Sequence, residues 1–394
     1  MRFVAFLLLF TVCSFGREVN FHNFDGFQQK LSKEYVTEKI RHYLKYSDEI
    51  EKYYEITANA LAIYASPGDK KLGKVEYALY FGQEFPSVVP EFKHPLSKAK
   101  IAIDPGHFGG QFARLEERYV SIESEGKTLE FDEGTLAFLT ALHLKKKLEA
   151  KGATVLMTRK AIGEGAYPQP FFEWLKEHPE LWEKGVPLST IFLRHYNRLD
   201  LRARAELINN FQPDLTLLIH YNAIDSELPD PRRTKPTKRN FNLVFIPGAF
   251  CKGELANAED RYHFLRLICT QDLELSHQMA QDLVERFTTY LDVPPLKSAK
   301  KELCGFGNSL VSADGVFCRN LCLTRLIESP LCYGETLIQN NLDEALELSQ
   351  SQTTIDGIPC PQRVIDVAEA YYKTILLYYE DSEGLTSRSL AADA

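Results

Sequence analysis

Between Lys98 and Tyr379, short apolar runs alternate with stretches whose apolar residues recur at helical spacing. KIAI (100–103), ATVLMT (153–158), LTLLI (215–219), FNLVFI (241–246) and NLCLTRLI (320–327) read as short strands, most of them uninterrupted as strands covered on both faces are. The first must stop at Pro105 and Gly106. Glu133 to Ala150 sets Ala137, Ala141, Leu144 and Leu148 on one helical face, and Lys151 and Gly152 end it. Further helices are expected near 194–210, closed before Pro213, and over 273–291 and 361–379. Strand, helix, strand in this order predicts an α/β fold: a mostly parallel or mixed sheet covered by helices on both faces.

Upstream the pattern differs. Residues 17–98 are rich in aromatic and charged side chains and end in the proline-punctuated EFPSVVPEFKHPLSK, which reads as a linker. Within them, Lys33 to Lys52 predicts an amphipathic helix, and EITANALAIYASPGDKKLGKVEYALYFG alternates around a Pro-Gly-Asp turn as a short strand pair. That stretch resembles a bacterial SH3-like wall-binding module. Met1 and Arg2 followed by FVAFLLLFTVCSFG have the charge and the short apolar length of a signal peptide. The expected organisation is therefore a signal peptide (1–16), a small N-terminal accessory domain with its linker (17–98), a catalytic domain (99–380) and a flexible polar tail (381–394). No later run reaches 18 apolar residues, so no transmembrane segment is expected after export.

Composition narrows the partners. Among 394 residues, 54 Asp and Glu against 46 Lys and Arg leave a net charge of -8, so no global positive field exists to hold a nucleic acid. One local exception is the basic stretch Ser226 to Asn240, with Arg232, Arg233, Lys235, Lys238 and Arg239, which suits a carboxylate-bearing substrate. Removal of the first sixteen residues leaves seven cysteines, Cys251, Cys269, Cys304, Cys318, Cys322, Cys332 and Cys360. Export and the lack of paired CxxC motifs favour disulfides with buried thiols over a structural zinc site.

In open α/β sheets, ligands gather at the carboxyl ends of the strands. His107 lies just past the first strand, His220 terminates LTLLIH, Glu133 opens the helix after the first strand, and Glu328 reads as the end of NLCLTRLIE. Two imidazoles and one carboxylate leave zinc an open position for a water whose pKa falls to about 7, which suits amide hydrolysis. A separate carboxylate must then move the proton to the leaving nitrogen, and Glu328 is the candidate. No HExxH helix occurs, and GNSLV around Ser309 lacks the second glycine of a nucleophile elbow.

IAIDPGHFGG, then DEGTLAFLTALHLKKKLEAKGATVLMTR, then LRARAELINNFQPDLTLLIHYNA, in this order, resemble the zinc-dependent N-acetylmuramoyl-L-alanine amidases of the bacterial cell wall, over about Lys100 to Tyr379. The resemblance implies one zinc per chain held by His107, Glu133 and His220, with Glu328 catalytic. It also implies peptidoglycan as substrate, cut between N-acetylmuramic acid and L-alanine, in a periplasmic or wall-associated setting. The long stretch after His107 leaves Glu123, Glu125 and Glu130 open as the carboxylate ligand, although the helix pattern favours Glu133. Asp104, Asn222 and Glu335 match motif positions that touch substrate or support a ligand, Glu335 reading first as a structural cap or a solvated residue, whereas Arg204 and Asn209 read as holding the helix and loop. Pro247 to Cys269, with Glu254, Glu259 and His263, sits where some relatives keep a helix that plugs the site until an activator protein removes it. The other readings are a zinc amidase or peptidase on another wall peptide, which the departure SPLCYGE after Ile327 allows, and a non-catalytic peptidoglycan-binding protein.

Overall fold

The computed structural model describes residues 19–86, 92–224, 235–298 and 307–380. The expected signal peptide, the polar tail, Cys304 and most of the basic stretch therefore lie outside the described residues.

The N-terminal region folds as α1 (Lys33–Lys39), which continues through a π turn to Leu44, then strands β1 (Tyr54–Ile56) and β2 (Ala60–Ile63), α2 (Pro67–Lys71) and β3 (Tyr77–Tyr80). The three strands form one antiparallel sheet, so the expected strand pair gains a third member. This region shares one continuous apolar core with the rest of the chain rather than standing apart behind its linker. The buried Lys39 Nζ donates to Thr270 O at 2.6 Å and to Glu274 Oε2 at 2.7 Å, and Arg261 grips Glu76 through two hydrogen bonds. A short β4 (Phe92–Pro95) follows.

The main sheet has seven strands: β5 (Lys100–Pro105), β8 (Thr154–Met157), β9 (Leu215–Asn222), β10 (Leu243–Ile246), β11 (Leu310–Ala313), β12 (Val316–Cys318) and β13 (Leu331–Ile338), in the order β11-β12-β10-β13-β9-β5-β8. Strands β8, β5, β9 and β13 run parallel, β10 pairs antiparallel with β13, and β11 antiparallel with β12, so the sheet is mixed. Between β5 and α3 (Glu133–Ala150), the hairpin β6 (Tyr119–Ser124) and β7 (Lys127–Asp132) fills the long interval noted after His107. After β8 come α4 (Phe171–Lys176), α5 (Pro179–Trp182), α6 (Leu188–Ile191) and α7 (Asn197–Phe211), then α8 (Ala258–Cys269), α9 (Asp272–Leu291) and α10 (Cys322–Leu326). Helix α11 (Leu342–Ser349), the hairpin β14 (Ser351–Ile355) and β15 (Ile358–Pro361), and α12 (Gln362–Ile375) complete the domain, and β16 (Tyr379–Glu380) pairs with β4.

All eight residues of β9 are buried, which requires cover on both faces. Strand alternation sends Leu215, Leu217, Ile219 and Tyr221 into the core shared with α3, α9 and α12, where Tyr221 and Thr140 hydroxyls meet at 2.6 Å. Leu218 packs on the opposite face with Ala205 and Ile208 of α7. His220 and Asn222 follow Leu218 on that face.

Three expectations are corrected. First, the run 320–327 is not a strand: Leu323, Leu326 and Ile327 recur at helical spacing, residues 322–326 form α10, and the strand comes later, after Pro330. Second, Pro247 to Cys269 does not plug the cluster of His107, Glu133 and His220. Because β10 runs antiparallel to β13, the chain beyond Ile246 leaves the sheet at the end remote from His220. Glu254 accepts from Cys251 N and Asn320 Nδ2, Glu259 pairs with Arg202, and His263 is buried beside Arg266. Third, Cys251, Cys269, Cys318, Cys322, Cys332 and Cys360 are free thiols, so no disulfide joins any of the described residues.

Candidate active site

The turn after β5 carries the first site residue. Gly106 N donates to Ile219 O at 2.9 Å, which ties the turn to β9. Gly106 must be glycine, since a Cβ there would lie 2.2 Å from the His220 ring. His107 adopts φ 59°, a left-handed conformation unusual for a residue with a side chain. Two buried arginines hold it there. Arg159 donates to the carbonyls of Pro105, Gly106, Phe108 and Gly134, and Arg204 donates to those of Pro105 and His107. Phe108 then anchors the loop in an aromatic cluster with Phe112, Phe192 and Tyr196.

Glu133 is fixed by the start of α3, where Asp132 caps the helix by accepting from Thr135 N at 2.8 Å. The Glu133 side chain turns inward, with Oε1 3.1 Å from His107 Nε2 and 3.1 Å from His220 Nδ1. The ligating atoms of His107, Glu133 and His220 all lie within 4.8 Å of one another, the one such group among the described residues. Two imidazoles and a carboxylate at this spacing could hold a divalent metal, and their chemistry fits zinc with an open position. Glu123, Glu125 and Glu130 lie exposed on the β6–β7 hairpin, which leaves Glu133 as the carboxylate of the group.

Glu116 is a site residue that the sequence did not reveal. It is buried, its Oε1 lies 3.3 Å from His107 Nδ1, and its Oε2 accepts from Phe108 N at 2.8 Å and Gly109 N at 3.3 Å. A carboxylate on the far nitrogen of a ligand histidine fixes the ring and raises its basicity. Asp104, expected near a histidine, instead accepts from Thr158 Oγ1 and Arg204 Nη1 and so supports the loop through Arg204.

Glu328 does not join this group. Glu328 precedes β13 and lies at the end of that strand remote from His220. Its N–H donates to Asn209 Oδ1 at 2.9 Å, while Asn209 Nδ2 donates to Leu326 O, so Asn209 pins this turn as its structural reading expected. Glu335 lies in register with His220 on the neighbouring strand, and Tyr333, two residues earlier, stacks on the His220 ring at 4.3 Å. Asn222, two residues beyond His220, buries an Nδ2 that has no acceptor among the described residues, while its Oδ1 accepts from Ala223 N.

Electrostatics separate the two carboxylates. Burial works against the charge of Glu133, but the adjoining His107 and then His220 hold its pKa well below the usual range. Burial pushes Glu335 up, and the Glu133 charge pushes it further. Burial also opposes the His107 cation, yet Glu133 and Glu116 raise that ring to about 9, whereas burial lowers His220. An ionised carboxylate beside a carboxyl whose pKa is raised is the division of labour that acid–base chemistry requires.

Residues 101–354 match the model of a family described as N-acetylmuramoyl-L-alanine amidase. No curated protein matches the chain. Among solved structures, the CwlD amidase of Clostridioides difficile, in complex with the GerS lipoprotein, is 17% identical, with 75% of this chain and 100% of that chain covered and a TM-score of 0.42. The apo amidase Ami1 of Mycobacterium abscessus is 14% identical, with 72% and 99% covered and a TM-score of 0.41. The amidase AmiC2 of Nostoc punctiforme is 14% identical, with 71% and 95% covered and a TM-score of 0.38.

Proposed function

The chain belongs to the N-acetylmuramoyl-L-alanine amidase family and hydrolyses an amide bond of peptidoglycan, and we propose that it does so with one zinc ion held by His107, Glu133 and His220 and with Glu335 as the proton-moving carboxylate. The observation that carries this reading is the ligand group within 4.8 Å, with Glu335 in register beside His220. Zinc held there supplies Lewis acidity, polarising the scissile carbonyl and making water a nucleophile near neutral pH. Glu116 holds the His107 ring and Gly106 leaves room for His220. Glu335 takes the proton of the attacking water and returns it to the leaving L-alanine nitrogen, a role suited to a carboxyl whose pKa is raised. Asn222 offers its unpartnered Nδ2 to a substrate carbonyl. No helix among the described residues is long and apolar enough to cross a membrane, and the apolar stretch 3–16 supports export to the wall.

The test is mass spectrometry of fragments released from purified peptidoglycan. Stem peptides with a new L-alanine amino terminus should appear, vanish on chelation and return with zinc. Release of any other bond, or release that survives chelation, would contradict the reading.

Metal affinity should depend on pH. A ligand histidine must be neutral, and His107 in the metal-free site titrates at about 9, so below that pH metal binding has to expel a proton. The same raised pKa favours the metal-free fold below about 6.5, the ordinary value, and that contribution fades as pH rises through 9. Apparent zinc affinity should therefore rise about tenfold per pH unit between 6 and 8. Calorimetry in buffers of different ionisation enthalpy checks this, and a pH-independent affinity without proton release would refute it.

A further inference from the structure

The metal group is walled by acid. Glu116, Glu133 and Glu335 surround two histidines, a poor reception for a peptide that itself carries carboxylates. Arg118 and Arg319 both oppose the upward shift of Glu335. The Arg319 guanidinium sits over the Phe245 ring, 5.1 Å from its centre. Arg118 is placed differently. Its backbone is pinned on both sides, N donating to Ala113 O and O accepting from Glu133 N, so the side chain starts at the first turn of α3. Its Nε lies 3.8 Å from Glu133 Oε2, among the described residues Nη1 donates to the adjoining Glu117 O at 3.2 Å, and 39% of the side chain is exposed. The guanidinium thus stands at the solvent rim of the metal group, with donors to spare. Two residues beyond His220 on the same strand, Asn222 Nδ2 is buried with no acceptor among the described residues.

We propose that Arg118 is a specificity-determining residue that takes the carboxylate of the stem residue following the scissile L-alanine. This rests on the hydrolytic reading above. A guanidinium presents a planar fork that matches a carboxylate through two hydrogen bonds, which a bare amide cannot accept. Successive residues of an extended peptide advance by about 3.5 Å, so a carboxylate on the second residue beyond the scissile bond lies about 7 Å from it, within the arm of an arginine rooted beside Glu133. Glu133 turns Oε1 to the two histidines at 3.1 Å each and offers Arg118 only Oε2, at 3.8 Å from Nε, which leaves the end of the guanidinium to meet the incoming anion.

The test compares two synthetic substrates, N-acetylmuramoyl-L-alanyl-D-glutamyl peptides with a free α-carboxylate or with its carboxamide, on zinc-loaded wild type, Arg118→Gln and Arg118→Lys. Wild type should favour the carboxylate by about tenfold or more in kcat/KM, as a charge-assisted pair allows. Arg118→Gln should bring the ratio to about one through a higher KM for the carboxylate form, and Arg118→Lys should restore part of it. The released L-alanyl-D-glutamyl product, titrated without turnover, should bind wild type more tightly than Arg118→Gln by a similar factor, with zinc stoichiometry and melting temperature unchanged. Equal wild-type kinetics on the two substrates would overturn the proposal, as would a loss in Arg118→Gln that falls equally on both in kcat. Cleavage of neither substrate by wild type would overturn the hydrolytic reading, and the proposal with it.

Discussion

Replacing Glu335 with glutamine should lower kcat by about a thousandfold, within the range that removal of a general acid–base group produces, while zinc stoichiometry and the fold survive. The substitution keeps the shape and removes only the ability to hold and release a proton. Because Glu335 sits beside Glu133 in a site that burial makes hostile to a second negative charge, the neutral amide should leave stability unchanged or raised. Glu328→Gln is the control: it alters a side chain at the opposite end of β13, where the backbone N–H, not the carboxylate, makes the bond to Asn209. Activity of Glu328→Gln within about twofold of wild type is expected for an exchange this far from the reacting bond. Steady-state kinetics on a muropeptide, with metal analysis and thermal melts of both variants, decide the matter. A silent Glu335→Gln alongside an inactive Glu328→Gln would reverse the assignment.

The second large effect is expected at Arg159. This side chain is 1% exposed and ties down the carbonyls of Pro105, Gly106, Phe108 and Gly134, which brings the loop of His107 and the start of α3 to one point. Burial and the neighbouring Arg204 lower its pKa to about 9, and Asp104, Glu116 and Asp200 oppose that shift, so it remains charged at neutral pH. Arg159→Met keeps a similar bulk but removes the Arg159 donors from the carbonyls of Pro105, Gly106, Phe108 and Gly134, of which Pro105 keeps Arg204 and Phe108 keeps Gly163 N, and it removes a buried positive charge that acts on Asp104, Glu116 and Asp200. The expected cost is about 3–5 kcal/mol, the scale for breaking a buried charged network. Since His107 and Glu133 are both held by this clamp, zinc affinity should fall at least about tenfold even in the fraction that remains folded. Denaturant unfolding and zinc titration measure the two effects. Stability within about 1 kcal/mol of wild type with unaltered zinc binding would show that Arg204 alone suffices.

Much of the site was already written in the chain. KIAI stopped by Pro105 and Gly106, the Glu133 helix with its apolar face, and LTLLI ending in His220 each carry a local signal, because strand length, helical spacing and turn residues depend on neighbours in sequence. Those signals fixed the α/β class and the three candidate ligands, and the order of the motifs carried the family. What failed was the run from Asn320 to Glu328. Its apolar residues suit a short helix as well as a strand, and only packing on α7 and α8 made it α10, which moved the strand beyond Pro330 and exchanged Glu328 for Glu335 at the metal edge. Glu116, the Arg159 clamp and the rim position of Arg118 carry no periodicity at all. They depend on contacts between residues distant in the chain, or on where a hairpin meets a helix, and so were decided by the tertiary structure alone.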